Sequence, residues 1–143
     1  MYIVIGFAVF VFLGISVLLA RALSATGAER DLVLQLTRAE ARGDVNGVLS
    51  RTPQCAADAA CAAATRAFLP RLKRPGDVQI LRYDVSVQLP MTRQIGTGRV
   101  AWRAGTSLPV VQCVRVQRDG PLTGAGVVAL SVSAPIGGEA ACP

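Results

Sequence analysis

Histidine is missing from this 143-residue chain, lysine occurs once, and the aromatic content is one tryptophan, two tyrosines and four phenylalanines. Without histidine the commonest general base is lost, together with half of the usual ligand set for zinc. The cysteine spacing also argues against a metal. Cys55 and Cys61 enclose Ala-Ala-Asp-Ala-Ala, a gap wider than the two to four residues of a zinc knuckle. Scarce aromatics exclude the stacking platforms that single-stranded nucleic acid needs, and only Arg66, Arg71, Lys73 and Arg74 cluster as cations. Charge is missing altogether from Tyr2 to Ala20, and no Lys or Arg precedes that run.

What fills the run is Ile, Val, Phe, Leu and Ala, interrupted by Gly6, Gly14 and Ser16 and ended by Arg21. Nineteen such residues in a helix span roughly 28 Å, about the hydrocarbon thickness of a bilayer. A buried core helix would not need to be apolar on every face. Ala20-Arg21-Ala22 has the small-x-small form of a signal cleavage site. The absence of preceding cations and the length of the run favour an uncleaved signal-anchor over a cleaved signal peptide. Residues 1–22 are therefore expected as a transmembrane anchor contacting lipid through Tyr2 to Ala20, 23–28 as a linker, and 29–143 as one domain. About 120 residues suffice for a single hydrophobic core.

Topology receives two opposed signals. Arg21, Arg30 and Arg38 follow the anchor and would hold the domain inside by the positive-inside rule. Four cysteines in a small domain suggest two bridges, which persist outside the reducing cytosol. The cysteines favour the extracytoplasmic side. Three connectivities are possible. Six residues of unbroken helix would hold Cys55 and Cys61 about 9 Å apart along the axis, too far to bridge. Asp58 as the N-cap of a helix from Ala59 leaves Cys55 in the preceding loop, free to fold back, and Cys113 then pairs with Cys142 by elimination.

Hydrophobic periodicity divides the domain into two halves. In Glu29 to Arg42, Leu32, Val33, Leu36 and Ala39 recur at helical spacing, with Arg30, Gln35, Arg38, Glu40 and Arg42 on the polar side. Gly43 and Asp44 read as a C′ glycine and the cap of a short helix Val45 to Leu49. A third helix is expected from Ala59 to Leu69. Beyond Asp77 the period becomes two. In Val78 to Leu89 one face carries Leu81, Tyr83, Val85, Val87 and Leu89, and Pro90-Met91 begins a turn. Arg93 to Arg103 places Val100 and Trp102 inward, and Gly96-Thr97-Gly98 reads as a bend or bulge, since it lacks the Gly, Lys and helix of a phosphate loop. Leu108 to Arg118 and Val127 to Ile136 complete four strands, the last with Val128, Leu130, Val132, Ala134 and Ile136 inward. Short connections require an antiparallel meander. The fold class expected is α+β: a transmembrane helix, then short helices packed on a four-stranded antiparallel meander.

This pattern resembles the cystatin-like and nuclear transport factor 2-like α+β group, in particular small single-pass actinobacterial membrane proteins that carry such a domain outside the membrane. The resemblance rests on Ala39-Glu40-Ala41-Arg42-Gly43-Asp44-Val45 as the end of a long first helix, and on the strands Gly98-Arg99-Val100-Ala101-Trp102 and Leu108-Pro109-Val110-Val111-Gln112-Cys113-Val114. It covers Ala28 to Ile136. Enzymes of the group would imply a pocket at Tyr83 and Trp102, but the only acids near the strand entry are Asp77 and Asp84, and Asp84 alternates away from the core. No catalytic residue and no cofactor is expected. The reading favoured is a membrane-tethered, non-catalytic interaction domain of a membrane or cell-envelope assembly, with Arg82, Arg99, Arg103, Arg115 and Arg118 as the partner surface, a protein partner and no nucleic acid. The alternative is a module binding a small apolar ligand or lipid between sheet and helices.

Overall fold

The computed structural model describes residues 2–84, 92–120, 126–138 and 140–142. Helix α1, Tyr2–Arg42, contains 41 residues and is about 60 Å long at the usual rise. Its first half, Ile3–Arg21, has a mean hydropathy of 2.9 and is long and apolar enough to cross a membrane, and none of it is buried against the protein. Its second half is a core helix, with Val33, Leu36 and Ala39 fully buried. The segment expected as a linker, 23–28, is helical, so nothing but helix joins the two halves.

Gly43, at φ +70°, ends the helix. Its N–H bonds to Glu40 O and that of Asp44 to Ala39 O, at 2.8 and 2.9 Å, the paired bonds of a Schellman motif. Asp44 then caps α2, Val45–Arg51, by accepting from Gly47 N at 2.8 Å. Helices α3, Pro53–Ala57, and α4, Ala59–Phe68, follow, and a 3₁₀ turn covers Leu69–Leu72.

Strands β1, Val78–Asp84; β2, Gln94–Ala104; β3, Val110–Arg118; and β4, Val127–Val132 form an antiparallel meander in sequence order. The inner face, carrying Val100, Trp102, Val114, Val116 and Val132, closes a core with Val33, Leu36, Val48, Leu69 and Leu72. This is an α+β layer structure, as the sequence requires.

Two bulges change the phase of the edge strands. In β1 Ile80 pairs with Trp102 and Arg82 with Ala101, so Leu81 is the extra residue. Ile80 and Tyr83 consequently pack on the core while Leu81 is exposed, so Leu81 does not share the face of Tyr83 that strict alternation gave it. In β4 the register shift falls at Leu130. Val116 pairs with Ala129 and Val114 with Val132, which turns Val128 outward. β4 ends at Val132, and Ala134 and Ile136 belong to the tail that follows. Gly98 makes no bulge, since β2 pairs with β3 without a shift from Gln94 to Trp102. Instead a Cβ there would lie 2.9 Å from both Tyr83 Oη and Asp84 O, so glycine leaves room for the tyrosine ring. The expectations for Val85, Val87, Leu89, Pro90 and Met91 fall outside the described residues.

Candidate functional site

The residues singled out from the sequence separate into three places. The disulfides come first. Asp58, at φ −92° and ψ 113°, breaks the chain between α3 and α4, and its carboxylate accepts from Ala60 N and Cys61 N. The break replaces the 9 Å separation of a continuous helix with a Cα–Cα distance of 5.1 Å, and Cys55 bonds to Cys61. Cys55 lies in the short helix α3 and not in a loop. Cys113 bonds to Cys142, with Cα atoms 5.7 Å apart. Because Cys113 sits on the outer face of β3, this bridge holds the C-terminal tail across that face. Ser133 N to Cys113 O and Ile136 N to Val111 O, both 2.8 Å, fasten the same tail.

Tyr83 and Trp102 both face inward, but they end in different polar networks. Trp102 is fully buried, and its Nε1 donates to Gln112 Oε1 at 2.7 Å. Gln112 Nε2 donates in turn to Glu40 Oε1 at 3.1 Å and to Ser133 O at 2.9 Å. The Tyr83 hydroxyl donates to Glu29 Oε1. The other oxygen of Glu29 pairs with Arg118 Nη1 at 3.2 Å, with both side chains almost wholly buried. Tyr83 keeps its proton because burial, the bond to Glu29 and the charge of Glu29 all raise its pKa, against a smaller opposing effect from Arg118. Burial pushes the Glu40 carboxyl up to about 8, partly opposed by the bond from Gln112, so it is neutral at pH 7.

These networks correct two assignments. Glu40, expected on the polar side of its helix, has no exposed surface. Glu29, Val33, Leu36 and Glu40 lie within an arc of roughly 60° at 100° per residue, so the carboxylates extend the apolar stripe at both ends. Arg118 is not on the partner surface either. It has the parity of Val114 and Val116 on β3, faces inward and is 2% exposed. The helix supplies Glu29 as its counter-charge, which is what a buried guanidinium requires. Two inward carboxylates therefore exist where the strands alone offered none.

The other four arginines do share the outer face or its rim. Arg103 is exposed and donates to Gln79 Oε1. Arg115 is exposed and, with Leu130 and Ser131, borders a cleft of about 280 Å³ against the Cys55–Cys61 bridge. Arg82 and Arg99 line a second cleft, of about 250 Å³, with Asp84, Ala101, Val111 and Gly138. Ala101 and Val111 are cross-strand partners, as are Asp84 and Arg99. Arg82 Nε contacts Asp84 Oδ1 at 3.1 Å. Arg99 Nη2 donates to Gly138 O of the tail. Neither Tyr83 nor Trp102 lines either cleft.

Among the described residues no group of three or more Cys, Asp or Glu side chains forms a metal site, and every cysteine is bridged. What the outer cleft offers chemically is guanidinium N–H groups above a small apolar floor. No family model matches the chain, and neither a curated protein nor a solved structure does.

Proposed function

We propose that this chain is a membrane-tethered, non-catalytic interaction module of a membrane or cell-envelope assembly, with its domain on the extracytoplasmic side. The observation that carries the reading is α1. One unbroken helix supplies both an apolar rod of membrane length, none of it covered by the protein, and the fully buried Val33 and Leu36 of the domain core. A domain mounted this way is held at a fixed height above the bilayer, with its outer sheet face toward neighbours. The two disulfides support an oxidising compartment. A long helix laid on a meander sheet supports membership of the cystatin-like and nuclear transport factor 2-like group. Fold alone would leave activity open in that group. Trp102, Leu36 and Leu69, all fully buried between helices and sheet, favour interaction over storage of an apolar ligand there.

The test is photocrosslinking in cells, with a photoreactive residue replacing Arg103 or Arg115 on the outer face, or Leu108 as a position off it. Discrete protein adducts from Arg103 or Arg115, lost when residues 2–20 are replaced by a cleaved export signal, are the expected result. No adduct from either outer-face position would overturn the reading.

A further inference from the structure

The outer-face cleft between β1, β2 and the C-terminal tail has the chemistry of a carboxylate receptor. Resting on the interaction reading above, we propose that Arg82 and Arg99 bind an acidic side chain of a partner protein's extended segment, with Ala101 and Val111 beneath its methylene stem.

Three observations converge on that occupant. First, both guanidiniums retain donors. Among the described residues Arg82 commits Nε to Asp84, and Arg99 commits Nη2 to Gly138 O, which leaves the remaining N–H groups of each planar fork for a ligand. Forks of this kind match a carboxylate with two parallel hydrogen bonds. Second, among the described residues the lining carries two arginines and one aspartate, for a net charge of one positive unit (two minus one). A carboxylate balances this charge, whereas a phosphate dianion would exceed it beside Asp84. Third, the floor is two small apolar side chains, Ala101 and Val111, each half-buried. A cleft of about 250 Å³ holds one acidic side chain and its neighbouring backbone, not a folded element.

Construction of the cleft also favours a lasting site over a chance groove. Its outer wall is the tail, fixed by the Cys113–Cys142 bridge and by Ile136 N to Val111 O at 2.8 Å. Arg99 is itself half-buried and tied to that wall. The cleft therefore does not have to be assembled when the ligand arrives, and little side-chain entropy is lost at Arg99 on binding.

The experiment uses the full chain in detergent micelles and a fluorescein-labelled peptide of four alternating Gly-Glu repeats, read by anisotropy, beside a Gly-Gln peptide of the same length. The Glu peptide is expected to bind, and the Gln peptide is not. Arg82→Ala and Arg99→Lys are each expected to weaken binding by about tenfold or more, the loss typical of a charge-assisted hydrogen bond. Arg103→Ala, on the same face but off the cleft, is expected to change it by less than about twofold. Acetate should displace the peptide, whereas inorganic phosphate should do no more than chloride of equal ionic strength. Arg82 is solvent-exposed, so its variant keeps the fold, and equal melting temperatures check this. Equal binding of the two peptides, no binding of either, an equal loss at Arg103→Ala, or preferential displacement by phosphate would each overturn the assignment. If the peptide fails while the outer-face crosslinks persist in Arg82→Ala, the cleft is wrong and the tethered interaction stands. Loss of the crosslinks in the parent chain refutes the interaction itself.

Discussion

Glu40 carries the clearest consequence of any single side chain. Its carboxyl is raised from 4.5 to about 8 by burial, so the folded state keeps a proton that the unfolded chain releases. Stability must then fall as pH rises between those two values, by at most about 1.4 kcal/mol per pH unit from this group. Glu40→Gln keeps an acceptor for Gln112 and removes the titration. Thermal melts at pH 5 and pH 8 should converge in that variant and differ in the parent; an unchanged pH slope would refute the burial argument. Arg118 makes the complementary case. Arg118→Ala leaves Glu29 charged and buried, and should cost about 3–5 kcal/mol in denaturant unfolding. Removing both charges together, as Glu29→Gln with Arg118→Met, should cost much less. Neither Glu40 nor Arg118 was legible as a buried residue. Charged residues on helices and strand ends are solvated in most proteins, and only the parity of Arg118 with Val114 and Val116 marks it as inward.

Among the elements, those set by local chemistry were legible and those set by pairing were not. Asp44 and Asp58 cap the helices they precede, Gly43 ends α1, and β2 turns Val100 and Trp102 inward. The bulges at Leu81 and Leu130 were not, because a bulge depends on the partner strand's register, which neither sequence segment contains alone. Gly98 shows the same limit. Its role is to admit the Tyr83 ring from a neighbouring strand. Gly98→Ala would need a contact of 2.9 Å with Asp84 O to relax, and should destabilise the fold by about 1–3 kcal/mol. That loss would be read as a lowered urea midpoint at unchanged slope. The candidate cleft was half legible in the same sense. Arg82 and Arg99 could be placed on the outer face by alternation, but the tail that walls them in depends on the Cys113–Cys142 bridge. Replacing both cysteines by serine should cost about 2–4 kcal/mol, and amide exchange at Ile136 should quicken more than at Val114.

At the scale of the molecule, α1 decides how the domain meets its surroundings. From Arg21 to Glu29 the helix advances about 12 Å, and from Arg21 to Arg42 about 32 Å. Arg118 and Tyr83 engage Glu29 while Gln112 engages Glu40, so the Arg118 end of β3 points toward the apolar rod. A helix that is continuous through 23–28 allows little rotation of the domain about its apolar half. Replacing Ser24 to Gly27 with a Gly-Pro-Gly-Ser break should leave the melting temperature of the domain nearly unchanged and abolish the outer-face crosslinks. Crosslinks that survive would mean that height and orientation do not matter.

The most direct test of a tethered domain outside the membrane is cysteine accessibility in intact cells, measured with a membrane-impermeant maleimide before and after reduction. With all four cysteines bridged, labelling is predicted only after a reductant is added, and without lysis. Labelling that requires lysis and no reductant would place free thiols in the cytoplasm and contradict both the topology and the function proposed from it.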